Sequence, residues 1–270
     1  MKNKDKSVLA TGDWHCGHVA GLTPPDWQYP ADSIDETTAK FARVQSETWN
    51  WFVQEVDKLR PIDILIVNGD LIEGKGTRSG GTECIRLDRH EQCDMAAYII
   101  NWIDAHKVQM THGTPYHAGQ DEDFEKVILG KIKAPYKFLE GHAFPVINGV
   151  QFDIKHKIGG SSIPHGRFTA IARDKLWNTI WSSRAEAQPK ANVLIRSHVH
   201  YHVVDMNPAE EWIAMTLPAM QAFGSKYGIR QCSGTVEIGF VHFNIQKNGD
   251  FTWKSKLAEL SHMKVQPRPL

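Results

Sequence analysis

The stretch IDILIVNGDLIEG, residues Ile62–Gly74, decides the fold. Ile64, Leu65, Ile66 and Val67 follow one another without a polar residue between them. A strand with one wet face alternates, whereas a continuous apolar run belongs to a strand covered on both faces. The run then breaks into Asn68-Gly69-Asp70, a polar loop. In open α/β sheets, ligand sites gather at the carboxyl ends of the strands. The same form recurs along the chain. SVLATGDWHCGH ends in Asp13, His15 and His18, KVQMTHGTPYH in His112, Thr114 and His117, and QFDIKH in His156. ANVLIRSHVHYH ends in His198, His200 and His202. Five strand ends thus carry carboxylate or imidazole, too regular a placement for loop polarity alone.

Between these runs the spacing predicts helices over 33–60, 88–106, 121–130 and 167–187. Phe41, Val44, Phe52, Val56 and Leu59 mark the buried side of the first, with Ser33 as its expected cap. FPVINGVQFDIKHKIGG reads as a hairpin turning at Asn148-Gly149. Further strands are expected in EWIAMTLPAM and in TVEIGFVHFNIQKNGDFTWKSKL. The order is βαβαβ first, then mostly antiparallel strands, which implies two packed sheets with helices outside. Trp49, Trp51, Trp102, Trp177 and Trp181 fall at helical spacings and are assigned to the core. The chain is read as one domain over residues 1–270, with a loose tail about 264–270.

The 270 residues include 31 Lys and Arg against 31 Asp and Glu, so bulk charge gives no basic grip on nucleic acid. Cys16, Cys84, Cys93 and Cys232 form no CxxC pair and are read as free thiols. The N-terminus lacks an apolar stretch of signal-peptide length, and no run reaches the ~18 to 20 apolar residues of a membrane span. The expected location is cytoplasmic, with no membrane contact. The oligomeric state is left open.

Mixed carboxylate and imidazole donors suit Mn²⁺, Fe, Zn²⁺ or Ni²⁺ better than Ca²⁺ or Mg²⁺. Asp-x-His and His-x-His would place two donors on one side of an extended segment. A carboxylate such as Asp70 can bridge two ions, and two cations ~3.5 to 4 Å apart clamp a phosphate and sharpen a water into hydroxide.

Asp13-x-His15, Gly69-Asp70, His156 and His198-x-His200, in that order, resemble the signature of the calcineurin-like metallophosphoesterases over about residues 7–202. The resemblance implies a four-layer α/β/β/α sandwich of two mixed sheets flanked by helices. It implies two divalent transition-metal ions, Mn²⁺ first among the candidates. Asp13, His15 and His200 would hold one ion, Asp70 would bridge, and His156 and His198 would hold the other. One motif departs from the family. Its Gly-Asn-His is here Gly113-Thr114-Pro115, with His117 two residues further on. His117 is therefore assigned either to the second metal or to protonation of the leaving group. GTPYHAG, with PAMQAFGSKYG (218–228), is similar to phosphoesterases encoded by phages, which implies a host-cytoplasm setting.

Thr114, His18, His202 and His165 are held as further contacts to metal or substrate. His165 and Arg167 are weighed as either lining the substrate cleft or lying clear of it, the Lys75 to Cys84 loop as either bending over the site or lying on the surface, Glu73 as a solvated loop acid, and His112 as buried or supporting the ligands. The expected activity is hydrolysis of phosphate esters, with a metal-bound hydroxide as nucleophile. A phosphodiesterase acting on nucleotides or nucleic acid, possessing nuclease character, is preferred. The alternatives are a phosphomonoesterase of nucleotides or phosphoproteins, and a scaffold of the same fold without turnover.

Overall fold

The computed structural model describes residues 4–119, 123–184, 187–225 and 234–261. The 264–270 tail and Cys232 lie outside the described residues, as does part of the 218–228 stretch. Ile64–Asn68 is a strand, β2, and it lies between β1 (Lys6–Thr11) and β3 (Lys107–Thr111), parallel to both. β4 (Tyr136–Glu140) continues the parallel set. On the other side β10 (Gly239–Ile245) and β11 (Phe251–Leu257) add antiparallel strands. The six-stranded order is β11-β10-β1-β2-β3-β4. A second sheet has the order β5-β6-β7-β9-β8, from Val146–Ile147, Val150–Ile154, Val193–Arg196, Trp212–Thr216 and Val204–Asn207.

The apolar runs are continuous because their alternate residues enter different cores. Val8, Ala10 and Ile66 meet Phe152, Ile154, Val193, Ile195, Ile213 and Met215 between the two sheets. Leu9, Leu65, Val67, Val108 and Met110 turn the other way. They pack with residues of α1 (Glu36–Asp57), α2 (Arg89–Ile103) and α4 (Phe124–Lys131), the last preceded by the single-turn α3 (Pro115–Ala118). Leu194 and Ala214, on the outer face of the second sheet, pack with Ala170 and Ile171 of α5 (Arg167–Ser183). The result is an α/β/β/α sandwich of two mixed sheets flanked by helices.

The later strands do pair mostly antiparallel, at β5/β6, β8/β9, β1/β10 and β10/β11. The exception is the middle of the second sheet, where β6, β7 and β9 are parallel neighbours, and two further expectations, on the cap of α1 and on the tryptophans, are corrected. α5 supplies the crossover from β6 to β7 that a parallel pairing requires. α1 begins at Glu36, capped by Asp35, whose Oδ2 accepts from Thr38 N at 2.7 Å; Ser33 precedes the helix. Trp177 and Trp181 are 51% and 41% exposed on α5, so they are not core residues, whereas Trp49 is buried.

A buried polar network seats the strand from which His198 departs. Arg196 ends β7 and is 4% exposed. Its Nη1 donates to Asp153 Oδ1 at 2.8 Å and its Nε to Asp174 Oδ2 at 2.7 Å. Asp153, fully buried, also accepts from Asn178 Nδ2 at 3.0 Å and lies 2.7 Å from His142 Nε2. Burial would raise its pKa, but His142 and Arg196 hold it below the usual carboxylate value. Its contribution to stability is therefore present above the ordinary aspartate pKa and lost as pH falls through the depressed one. Arg196→Met leaves Asp153 short of a counter-charge. The expected loss is ~3–5 kcal/mol of unfolding free energy, read from denaturant midpoints. An unchanged midpoint would show that the network carries no net stability.

Candidate metal centre

The loops leaving β1, β2, β3, β6 and β7 bring the chemistry-bearing residues together. Asp13, His15 and His200 offer ligand atoms all within 4.8 Å of one another, and so do Asp70, His156 and His198. Asp70 also groups with His15 and His117, so its carboxylate stands between the sets. His200 Nε2 and His15 Nε2 lie 3.5 and 3.9 Å from Asp13 Oδ1, and 3.2 Å from each other. His156 Nε2 is 2.9 Å from Asp70 Oδ2 and 3.9 Å from Asp13 Oδ1, and His198 Nδ1 is 4.0 Å from Asp70 Oδ2.

Two-residue alternation along a strand does not produce this convergence. β1 stops at Thr11 and β7 at Arg196, before the clustered residues begin. Asp13, His15, Asp70, His198 and His200 all have left-handed backbone, with φ between 47° and 75°. Side chains in that region cost roughly 1–2 kcal/mol each. The loops are held there by hydrogen bonds: Asp13 N donates to Gly69 O at 3.0 Å, His15 N to Asp70 O at 3.1 Å, and His198 N to Asp13 Oδ2 at 2.9 Å. Gly113 is required by contact. A Cβ there would lie 2.2 Å from Asp70 Oδ1.

The imidazoles are oriented by their second nitrogens. A carbonyl or carboxylate only accepts, so the ring nitrogen facing it must donate. His156 Nδ1 donates to Asn68 O at 2.7 Å, His15 Nδ1 to Glu73 Oε2 at 3.0 Å, and His117 Nδ1 to Glu73 O at 2.8 Å. In the neutral rings each Nε2 is left with its lone pair. Metal-ligating histidines are oriented by partners of this kind.

Glu73 is the residue the sequence placed wrongly. It is buried beneath His15, and its Oε2 is also 3.6 Å from His117 Nδ1. Its position three residues after Asp70, on the loop leaving β2, was the available signal. Burial opposes ionisation of Glu73, but the His15 hydrogen bond brings its pKa down to about 2. His15 is lowered to about 4, first by burial and then by His117, and so stays neutral and free to ligate. Asp13 and Asp70 are both held below the ordinary value; burial opposes this, and the neighbouring histidines outweigh it. Burial likewise disfavours charge on His156, but Asp13 and Asp70 push it up to about 9. That proton stabilises the metal-free fold fully below the unfolded pKa, and the effect is lost as pH rises through about 9. A cation bound at this nitrogen would have to displace it, so metal affinity would weaken as pH falls.

The donor set fits divalent cations. Asp13 Oδ1 and His156 Nε2 are buried and have no hydrogen-bond partner. The 2.9 Å approach of His156 to Asp70 is short but out of line for a hydrogen bond. Donor atoms ~3 to 3.6 Å apart are what a shared cation with bonds of ~2.0–2.2 Å produces.

Other expected residues are arranged around this centre. Thr114 donates both its N and its Oγ1 to Asp70 Oδ1, at 2.6 and 3.1 Å, and so holds the carboxylate. His18 lines the same cleft, with Nδ1 accepting from Ala20 N at 3.1 Å and Nε2 3.5 Å from Glu83. The Lys75 to Cys84 loop does reach the cleft, which Arg78, Ser79 and Glu83 line. His202 does not line it; Nδ1 meets Thr216 O and Nε2 meets Ser255 Oγ, each at 2.6 Å. His165 is exposed and does not line the cleft, while Arg167, two residues on, does. Asn68 turns away to Thr111 and Ser197.

No family model matches the chain, and no curated protein matches it in sequence. Among solved structures it is similar to Vps29 complexed with Zn²⁺ from Entamoeba histolytica, at 14% identity and TM-score 0.43, over 93% of this chain and 98% of that one. A novel archaeal phosphodiesterase gives 8% identity and TM-score 0.43, over 93% and 99%. Chaetomium thermophilum Vps29 gives 10% and 0.40, over 93% and 97%. No helix among the described residues is long and apolar enough to cross a membrane.

Proposed function

We propose that this chain hydrolyses phosphate esters with two divalent transition-metal ions, and that its substrates are phosphodiesters of nucleotides or nucleic acid. The convergence of Asp13, His15, Asp70, His156, His198 and His200, with buried donor atoms that no other protein group satisfies, carries the reading. Asp13, His15 and His200 would hold one cation, His156 and His198 the other, and Asp70 both. Cations held there neutralise charge on a phosphate and make a water easier to deprotonate. Mn²⁺ is the first choice for these donors, with Zn²⁺, Fe and Ni²⁺ chemically compatible.

The protein's own groups do the rest. Glu73 keeps His15 and His117 oriented, and Thr114 keeps Asp70 oriented. His117 lies beside His15 at a ring separation of 4.5 Å, and with its ring doubly protonated it would give the leaving oxygen the proton on Nε2 while Nδ1 stays bonded to Glu73 O. The cleft of about 530 Å³ is larger than a phosphate needs. Arg78 and Arg167 line it, stacked on Tyr116 and Tyr201 at 4.7 and 4.4 Å, and Phe223 adds apolar surface. Cationic and aromatic walls suit an ester with organic groups on both sides of phosphorus.

The test compares bis-p-nitrophenyl phosphate with p-nitrophenyl phosphate after chelator treatment and Mn²⁺ reloading. Faster turnover of the diester, lost with chelator and restored by Mn²⁺, is expected. Turnover of the monoester alone would move the assignment to a phosphomonoesterase. Silence towards both would favour a binding scaffold.

A further inference from the structure

We propose a third cation site, formed by His112, Asp123 and Glu125, that takes one divalent transition-metal ion and fastens the loop carrying Thr114. It does not rest on the phosphoesterase reading. The three side chains come from two elements. His112 follows β3 and is tied to β4 through its N–H to Glu140 O at 3.0 Å. Asp123 caps α4, and Glu125 lies in that helix's first turn. Their ligand atoms all lie within 4.8 Å of one another. His112 Nδ1 is 3.7 Å from Asp123 Oδ1 and 3.8 Å from Glu125 Oε2.

The deciding observation is at Glu125, which is 2% exposed. Its Oε1 accepts from Gly113 N at 3.0 Å. Its Oε2 is buried, faces His112, and has no hydrogen-bond partner. Asp13 Oδ1 and His156 Nε2 in the cleft show the same property. A protonated His112 pairs with both carboxylates by charge, but at 3.7 and 3.8 Å it hydrogen-bonds neither, so Glu125 Oε2 keeps an open acceptor. One cation between the three, with the side chains closing by a few tenths of an ångström, would satisfy all of them. Two carboxylates with one imidazole select Zn²⁺, Mn²⁺ or Fe over Ca²⁺ and Mg²⁺. Lys126 opposes it, 3.6 Å from Asp123 Oδ2, but that side chain is 75% exposed and free to swing away. A cation here would join the start of α4 to His112-Gly113-Thr114, the segment whose Thr114 holds Asp70.

The test counts Zn²⁺ per chain by atomic emission after stripping and equilibrium dialysis. Wild type is expected to retain three ions and His112→Ala two. Asp13→Asn/Asp70→Asn, with the cleft disabled, is expected to keep one ion and to lose it when His112→Ala is added. His112 and Asp123 are each more than a third exposed by side chain or nearly so, at 39% and 34%, so their replacement spares the core. Asp123→Asn preserves the helix cap and serves as the second variant, with far-ultraviolet circular dichroism confirming the fold. Equal Zn²⁺ content in wild type, His112→Ala and Asp123→Asn would overturn the site, as would a cleft-disabled variant that binds none. Loss of the cleft ions alone would count against the phosphoesterase reading and leave this site standing.

Discussion

Asp70→Asn is expected to lower metal-dependent phosphodiester turnover by at least about 10³-fold. The substitution is nearly isosteric, so the effect isolates charge. Asp70 Oδ1 is already committed to Thr114, whose N and Oγ1 both donate to it. Oδ2 is the atom facing His156 and His198. An asparagine must present an amide NH₂ on one of these sides. Towards Thr114 it opposes two donors, and towards the histidines it replaces the carboxylate oxygen that faces His156 and His198. His156 would also lose one of the two carboxylates that raise its pKa. The checks are turnover with Mn²⁺ and the metal content of the dialysed protein. Activity within tenfold of wild type would remove Asp70 from the centre.

His117→Ala is expected to lower turnover by roughly 10²-fold or more. The size of the loss should depend on the leaving group. A nitrophenolate leaves without help, whereas an alkoxide needs a proton, so alkyl diesters should suffer most if His117 supplies it. The ring is suited to this because Nδ1 is occupied by Glu73 O and only Nε2 remains for substrate. A loss equal for both leaving groups, accompanied by less bound metal, would instead make His117 a ligand, which its grouping with His15 and Asp70 also permits. Unchanged rates with both substrates would dismiss it from either role.

Much of the framework was readable from burial pattern. The runs around Leu9, Leu65 and Leu194 are apolar throughout because one face meets helices and the other meets the opposite sheet. β4 escaped notice for the opposite reason. It is an edge strand, and its Tyr136 and Phe138 are 43% and 50% exposed. Trp177 and Trp181 obey helical spacing yet remain at the surface, since spacing reports a face and says nothing of what covers it. At the site, the residue types and their order were legible. Their means of convergence was not, because backbone handedness at Asp13 or His200 is set by hydrogen bonds from distant segments. Glu73 was misplaced for a related reason: an acid in a polar loop looks solvated until its histidine partner, 58 positions away, is seen.

Five residues of the candidate centre sit in a backbone conformation that aspartate and histidine seldom choose. At these positions the chain that folds most comfortably and the chain that works are different chains. Selection for robustness alone would drift towards glycine or asparagine there, and would dismantle the centre one donor at a time.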